Sequence, residues 1–506
     1  MPVLPIFGTP FDDTLDGGPG ADLILAFAGQ DTITGDGPAI PGAPGSLSLT
    51  GGNDLVKAGR DNDTVLGDGE VIPGSGGVAS LTGGDDTLFG AAGADILYGD
   101  GKVGAAFATG TMIGGNDRIY GGADDDFIVG DGSGGIGRGR STVTGGDDAL
   151  FGGNGNDTMF GDANAAEVLF GGDDRLIAGG GDNTLYGDGI AYPSLTGGDD
   201  ILRSGSGTDL IFGDGTVSQI YLGNVSLTGG ADRISAGGGG DTVYGEGIAS
   251  GGGTSVTITG AGDVIAGQAG DDTLMGEGII TSGASGTITG AADRIFGGSG
   301  TDAISGEGQI SIYSGTAMMD GGDDILFGNG DNDTVIGDGS VTVQDGDATL
   351  YGGNDRIFGG WGDDTLIGDG MVSSDTGIAT MMGGNDRLDG HTGDDTMWGD
   401  GVVTGAGVLT GGADIFIFRT NSGRDTIMDF RSAEDDRLLL RGLNLNWGDL
   451  DTNGDTVLDA NDAAVSSDGT SMTLDLGLAS GLAAAGVDTL TLTQVDTLSE
   501  SDFIFR

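Results

Sequence analysis

The chain contains no cysteine, which excludes disulfide staples and thiolate metal sites. It has one histidine, His391. That count excludes a three-histidine metal site and a conventional Ser-His-Asp triad repeated along the chain. No H-E-x-x-H is present, and His391 reads as an ordinary turn residue. Cations are scarce: Lys+Arg 18 stand against Asp+Glu 78, for a net charge of -60. Such a balance disfavours nucleic acid and anionic membrane surfaces and leaves multivalent cations as the counter-charge. No apolar run approaches the roughly 20 residues that a membrane helix needs. Residues 1–10 lack the basic and apolar regions of a cleavable secretory signal.

What is abundant is glycine, 114 residues of 506, and it is periodic. Gly359-Gly360-Trp361-Gly362-Asp363-Asp364-Thr365-Leu366-Ile367 matches the nonapeptide G-G-x-G-x-D-x-U-x, a pattern associated with calcium-binding parallel β-solenoids. Its sixth-position acid recurs as Asp31, Asp63, Asp95, Asp126, Asp157, Asp209, Asp241, Asp272, Asp302, Asp333, Asp364 and Asp395, with Asn183 as the exception. A second series lies nine residues upstream of each: Asp22, Asp54, Asp86, Asp117, Asp148, Asp174, Asp200, Asp232, Asp263, Asp293, Asp324, Asp355 and Asp386. Thirteen Gly-Asp/Glu-Gly/Ala triplets follow, from Asp36 to Asp400, and all length variation falls after them, giving repeats of 26 to 32 residues.

Repetition overrides the multidomain prior that length alone would suggest, because a solenoid grows by stacking. Glycines allow positive φ and close backbone approach at tight turns, and aspartate supplies the hard oxygen that Ca²⁺ prefers. Two residues past each acid the side chain is apolar, as at Val56, Val65, Leu88 and Leu97, so it points inward from a short strand. The expected fold is all-β: a parallel β-roll or β-helix solenoid of about 13 repeats, each a flattened turn-strand-turn-strand coil, ending in a small C-terminal cap. The next residue outward is often aromatic, as at Phe89, Tyr98, Tyr120 and Phe151. The variable segments are expected to fold over this stripe; the alternative is a sticky surface for a glycan or protein. Arginines at 118, 175, 233, 294, 356 and 387 are spaced as like charges in a stack should be.

The expected organisation is a lead-in over residues 1–10, a solenoid over 11–410, a cap over 411–445 that includes Asp414, a calcium loop over 446–465 and a C-terminal β segment over 466–506. The loop places Asp451, Asn453, Asp455, Val457 (through its carbonyl), Asp459 and Asp462 at the spacing of an EF-hand. Thr456 stands where that loop has glycine, and Asp462 replaces the usual glutamate; the alternative is a polar cap loop.

The nonapeptides, the 411–443 module and the final Leu498-Ser499-Glu500-Ser501-Asp502-Phe503-Ile504-Phe505 resemble the RTX, or repeats-in-toxin, calcium-binding proteins of Gram-negative bacteria. The resemblance implies multiple Ca²⁺ ions held between neighbouring coils by the aspartates and glycine-loop carbonyls. It also implies export through type I secretion machinery that reads an uncleaved C-terminal signal, with folding outside the cell. The chain begins its repeats almost at once, so no catalytic domain is expected ahead of them. The leading expectation is a secreted, non-enzymatic structural protein of surface-layer, matrix or adhesin type, partnered by calcium and by itself or cell-surface polysaccharide. The alternatives are a polysaccharide lyase, epimerase or glycosidase on a β-helix, and a soluble calcium buffer or ice-associated surface.

Overall fold

The computed structural model describes residues 5–37, 46–73, 77–104, 109–135, 140–219, 223–253 and 255–506. The first four residues of the lead-in lie outside the described residues. The chain divides into two compact units, Met1–Ile265 and Ala266–Arg506.

In the first unit each repeat makes one coil. Thr87 pairs with Leu55 on one side and Arg118 on the other, all in parallel register, so one turn of the solenoid consumes one repeat. A coil has three sides. Leu55–Arg60 forms the first face, Thr64–Leu66 the second, and Gly69–Val71 with Val78–Thr82 the third. The third face departs from the flattened two-strand coil expected from sequence. Its cause is legible in Val78-Ala79-Ser80-Leu81-Thr82, whose alternation makes a half-buried strand: Ala79 and Leu81 are fully buried and Val78 is exposed. The variable segment is therefore a wall of the core, and at Ile190 it also covers part of the aromatic stripe. In the 26-residue repeats this wall is continuous, as in Gly189–Thr196; the longer repeats of this unit split it into two strands, as in Gly69–Val71 and Val78–Thr82.

The core is the inward row of each face. Val56, Ala58, Val65, Val71, Ala79 and Leu81 are all fully buried, one thin layer per coil that only the coils above and below can complete. Outward aromatics behave differently on the two faces. On the second face Tyr98, Phe160, Phe212 and Tyr244 are buried; Ile190 packs against the cluster of Tyr98, Val129 and Phe160, and Lys102 lies over the Tyr98 ring. On the first face Phe89, Tyr120 and Phe151 are half-buried and stack at 4.8 Å between ring centroids. Arg118, Arg175 and Arg233 stand exposed on that same face.

The first face bends out of its plane at a fixed position. Gly153 sits there with φ 123°, and a Cβ on it would strike the carbonyl oxygen of Gly122 in the preceding coil. Gly153→Ala should therefore lower stability by about 1–3 kcal/mol. The comparison is Gly18→Ala, where a Cβ meets nothing within 4 Å. Denaturant unfolding of the two variants in calcium measures the difference.

The second unit repeats this plan and then closes it. Ile415–Phe418 and Arg437–Leu440 extend the first face, and Arg424–Ile427 and Thr489–Thr493 extend the second, all in parallel. Ser471–Asp475 and Val465–Ser467 then add in antiparallel order. Reversing direction ends the stack by covering the last open strand edge. The final strand, Phe503–Phe505, pairs with Leu438–Leu440 on the first face. The only α-helices among the described residues are Trp447–Leu450 and Leu476–Ser480.

Candidate metal centres

Two columns of carboxylates run along the edges of the coils. At the first edge, the upstream-series aspartates form a ladder in which each backbone N–H donates to the next carboxylate: Asp54 to Asp86, Asp86 to Asp117 (both 2.6 Å) and Asp148 to Asp174 (2.7 Å). Each uses Oδ1 and leaves Oδ2 buried with no partner. Asp200, Asp232, Asp324, Asp355, Asp386 and Asp414 are buried in the same way, and Asp263 and Asp293 are buried beside them. Asp22 differs, being half-buried with its Oδ2 accepting from the Gly18 N–H at 2.8 Å.

The triplet acids meet this ladder, and sequence reasoning missed them as ligands. Asp68, Asp86 and Asp100 form one group in which carboxylate oxygens lie within 4.8 Å of one another; Asp100, Asp117 and Asp131 form the next, and three similar groups cover Asp36–Asp54–Asp68, Asp131–Asp148–Asp162 and Asp162–Asp174–Asp188. Asp68, Asp100 and Asp131 are fully buried, and each leaves Oδ1 without a partner. The glycines complete the cradle: a Cβ on Gly99 would meet both the Gly130 carbonyl oxygen and Asp117 Oδ2. Convergent carboxylate and carbonyl oxygens without hydrogen-bond donors fit a hard divalent cation.

Charge supports the fit. Asp68, Asp100, Asp131 and Asp162 each belong to two successive groups, so along this stretch the column repeats with two carboxylates per coil, and one divalent cation per coil would neutralise it. Without that cation, burial pushes Asp86 up to about 9, with Asp68 adding to it, and Asp68 up to about 8. Burial and then Asp68 hold Asp100 well above the usual carboxylate range; burial and then Asp100 do the same to Asp117. At the far end of the column in the second unit, the guanidinium of Arg431 contacts Asp400 Oδ2 at 3.3 Å and Glu434 at 3.0 Å. Where no further repeat follows, the protein supplies its own cation.

The second edge carries the nonapeptide aspartates. Asp63 N–H donates to Asp95 Oδ1 (2.8 Å) and Asp95 N–H to Asp126 Oδ1 (2.9 Å), and again Oδ2 of Asp31, Asp63, Asp95, Asp126, Asp157, Asp209, Asp302, Asp333, Asp364 and Asp395 accepts no hydrogen bond; Asp241 and Asp272 are buried in the same row. Burial raises Asp63 to about 7 and Asp126 to about 8. Asn183 shows what the gap wants: its amide Nδ2 donates to the Gly181 carbonyl (2.9 Å) and to Asp209 Oδ1 (3.0 Å). A positive N–H edge thus sits between a glycine carbonyl and the next coil's carboxylate, where its neighbours leave only oxygens. Asp425 continues this ladder into the cap, accepting from Asp395 N–H at 3.2 Å, and Asp436 continues the first, accepting from Asp414 N–H at 3.0 Å.

The cap loop is closed by its own acids. Asp451 accepts from the N–H groups of Gly454 (2.7 Å) and Thr456 (3.0 Å), and Thr456 takes the glycine-like φ of 71°. Asp462 accepts from Thr452, Asn453 and Asp459. Burial pushes Asp462 up, but these hydrogen bonds outweigh it and hold the carboxyl below its ordinary value. Asn453 and Asp455 accept from the N–H groups two residues on, Asp455 and Val457, and Asp459 from that of Asn461.

Comparison with protein families matches thirteen segments between residues 7 and 401 to the RTX calcium-binding nonapeptide repeat, including residues 7–37, 133–165 and 382–401. Comparison of the chain with curated proteins finds no match. The matched segments span more than half of the chain, and their acids are the ones that build the two columns. The chain belongs to the RTX calcium-binding repeat family.

Proposed function

We propose that the protein is a secreted structural component, of surface-layer, matrix or adhesin type, whose coils fold and stiffen outside the cell as calcium enters both edges. The solenoid takes residues 11–410, the cap 411–445, the loop around Asp451–Asp462 holds a further ion, and 466–506 carry the export signal. The observation that carries this reading is the first-edge column, a buried stack of carboxylates whose charge one Ca²⁺ per coil would balance. In it the upstream-series aspartates and triplet acids are the carboxylate ligands; on the second edge the nonapeptide aspartates are. Calcium supplies charge neutralisation and coil-to-coil links, and the chain's own part is to present oxygens and glycine cradles at a fixed interval of about 4.8 Å. Because unfolded chains lack this arrangement, ion binding energy is folding energy.

The test is a charge removal at one rung. Asp131→Asn keeps the shape but deletes one buried negative charge shared by two groups. It should raise the calcium midpoint for folding at least about tenfold, ~1.4 kcal/mol. Asp182→Asn, at an exposed position, should leave the midpoint where it was. Equal midpoints for wild type and Asp131→Asn would remove the column from the account.

A further inference from the structure

The second unit breaks its own repeat at one corner, around Trp361. The equivalent positions in the neighbouring coils are Gly330 and Thr392, yet here an indole stands 75% exposed. A cavity of about 710 Å³ lies against it, lined by Ser299, Asn329, Asp331 and Asn332. A smaller one of about 200 Å³, lined by Phe358 and His391, shares Trp361 and Asn329.

Three lining residues occupy backbone that favours glycine. Asn329, Asp331 and His391 have φ of 81°, 73° and 70°. The coils beside them use glycine there: Gly298 and Gly360 flank Asn329 in register, and Gly360 pairs with His391. Side chains held at such positions cost stability and tend to mark functional sites. Behind His391 the usual aromatic ladder also stops, since Asp389 follows Phe358 in register. Asp389 is 1% exposed and is paired by Arg419 from the cap, which also lies 2.7 Å from His391 Nε2. Asp389 Oδ1, His391 Nδ1 and Arg419 Nε make no hydrogen bond, the first two lying 3.8 Å apart.

We infer that this corner is a saccharide-binding subsite that stacks one pyranose ring on the Trp361 indole, with Asn329, Asp331 and Asn332 meeting its hydroxyls. A flat exposed indole offers the apolar area that pyranose C–H groups cover, and amides beside a carboxylate offer paired donors and acceptors to vicinal hydroxyls. A net charge of -60 and the Asp331 carboxylate select a neutral sugar over a uronate or sulfated one. Cavities open on both sides of the indole admit an internal unit of a polysaccharide. This site requires folded coils and so rests on the calcium reading, but adds a ligand to it.

The experiment titrates the full chain in millimolar calcium with neutral gluco-, manno- and galacto-configured tetrasaccharides and with tetragalacturonate, reading binding heat by isothermal titration calorimetry, a signal that does not depend on the Trp361 indole. Circular dichroism on the same samples separates an unfolded protein from a folded one that does not bind. At least one neutral tetrasaccharide should give a saturable change that Trp361→Ala weakens tenfold or more, with dichroism and calcium midpoint unchanged. Asn329→Gly should bind more weakly while melting at a higher temperature, because it releases the strained φ; a purely structural Asn329 would not move the affinity. The proposal is overturned if no neutral sugar binds to folded protein, if Trp361→Ala binds as wild type does, or if tetragalacturonate binds more tightly than every neutral sugar.

Discussion

Moved from millimolar calcium into chelator at pH 8, the protein loses its β-sheet circular dichroism and expands to the dimensions of a disordered chain. The cause lies in the arithmetic of the edges. A typical coil buries two carboxylates at the first edge and one at the second, and ladder acids such as Asp86 and Asp95 accept from backbone N–H groups rather than from cations. An unpaired buried ion costs several kcal/mol even after relaxation, and the cost recurs in coil after coil. The hydrophobic return is small, because the inward row of a coil is typically one residue such as Val65 or two such as Val56 and Ala58 on each face. A chain of net charge -60 then repels itself without counter-ions. Small-angle scattering and far-ultraviolet dichroism in chelator and in calcium measure the difference; an unchanged pair of signals would contradict it.

Acid should restore what chelator removes. In the calcium-free fold, burial raises Asp54 and Asp63 to about 7, Asp126 to about 8 and Asp414 to about 9, from a carboxylate value of 3.8. Between those values the folded chain binds more protons than the unfolded one, so the stability of the calcium-free fold rises as pH falls through about 9 to 6 and is fully present below 3.8. Calcium-loaded protein must show the opposite slope, because protons and calcium compete for the same oxygens and acid displaces the ion. In chelator, β-sheet dichroism should return between pH 7 and 4. In limiting calcium, bound ion measured by an indicator should fall over the same interval. If the calcium-free chain stayed unfolded at every pH from 8 to 4, the buried columns would not be what holds it open.

Much of this architecture is written locally. The apolar residue two places past each acid, the glycines before it and the invariant offset of nine announce turn, strand and inward row, and those rows form the buried core at Val56, Leu88 and Leu97. The parts that were not legible depend on closing a coil. Asp100 and Asp117 are separated by a variable segment, so nothing in their spacing says that they meet; only the third face, with Thr109–Ile113 paired to Val78–Thr82, returns the chain to bring them together. The triplet acids did carry a signal, an acid at every one of thirteen triplets, with Glu246, Glu277 and Glu307 the only exchanges. Its meaning needed burial, since a fully buried acid beside glycine has no solvent role. His391 sits in a repeat turn, at the positive φ that Asn329 and Gly360 also take in register; what was not legible is its contact with Arg419, a cap residue twenty-eight positions away.

The central claim is tested most directly by a crystal structure grown in calcium, with anomalous differences used to place the ions. The account predicts one peak in each carboxylate group from Asp36–Asp54–Asp68 to Asp162–Asp174–Asp188, a row of peaks beside the nonapeptide aspartates, and a missing peak where the Asn183 amide bridges Gly181 and Asp209. Intact coils with no cation between Asp100, Asp117 and Asp131 would contradict it.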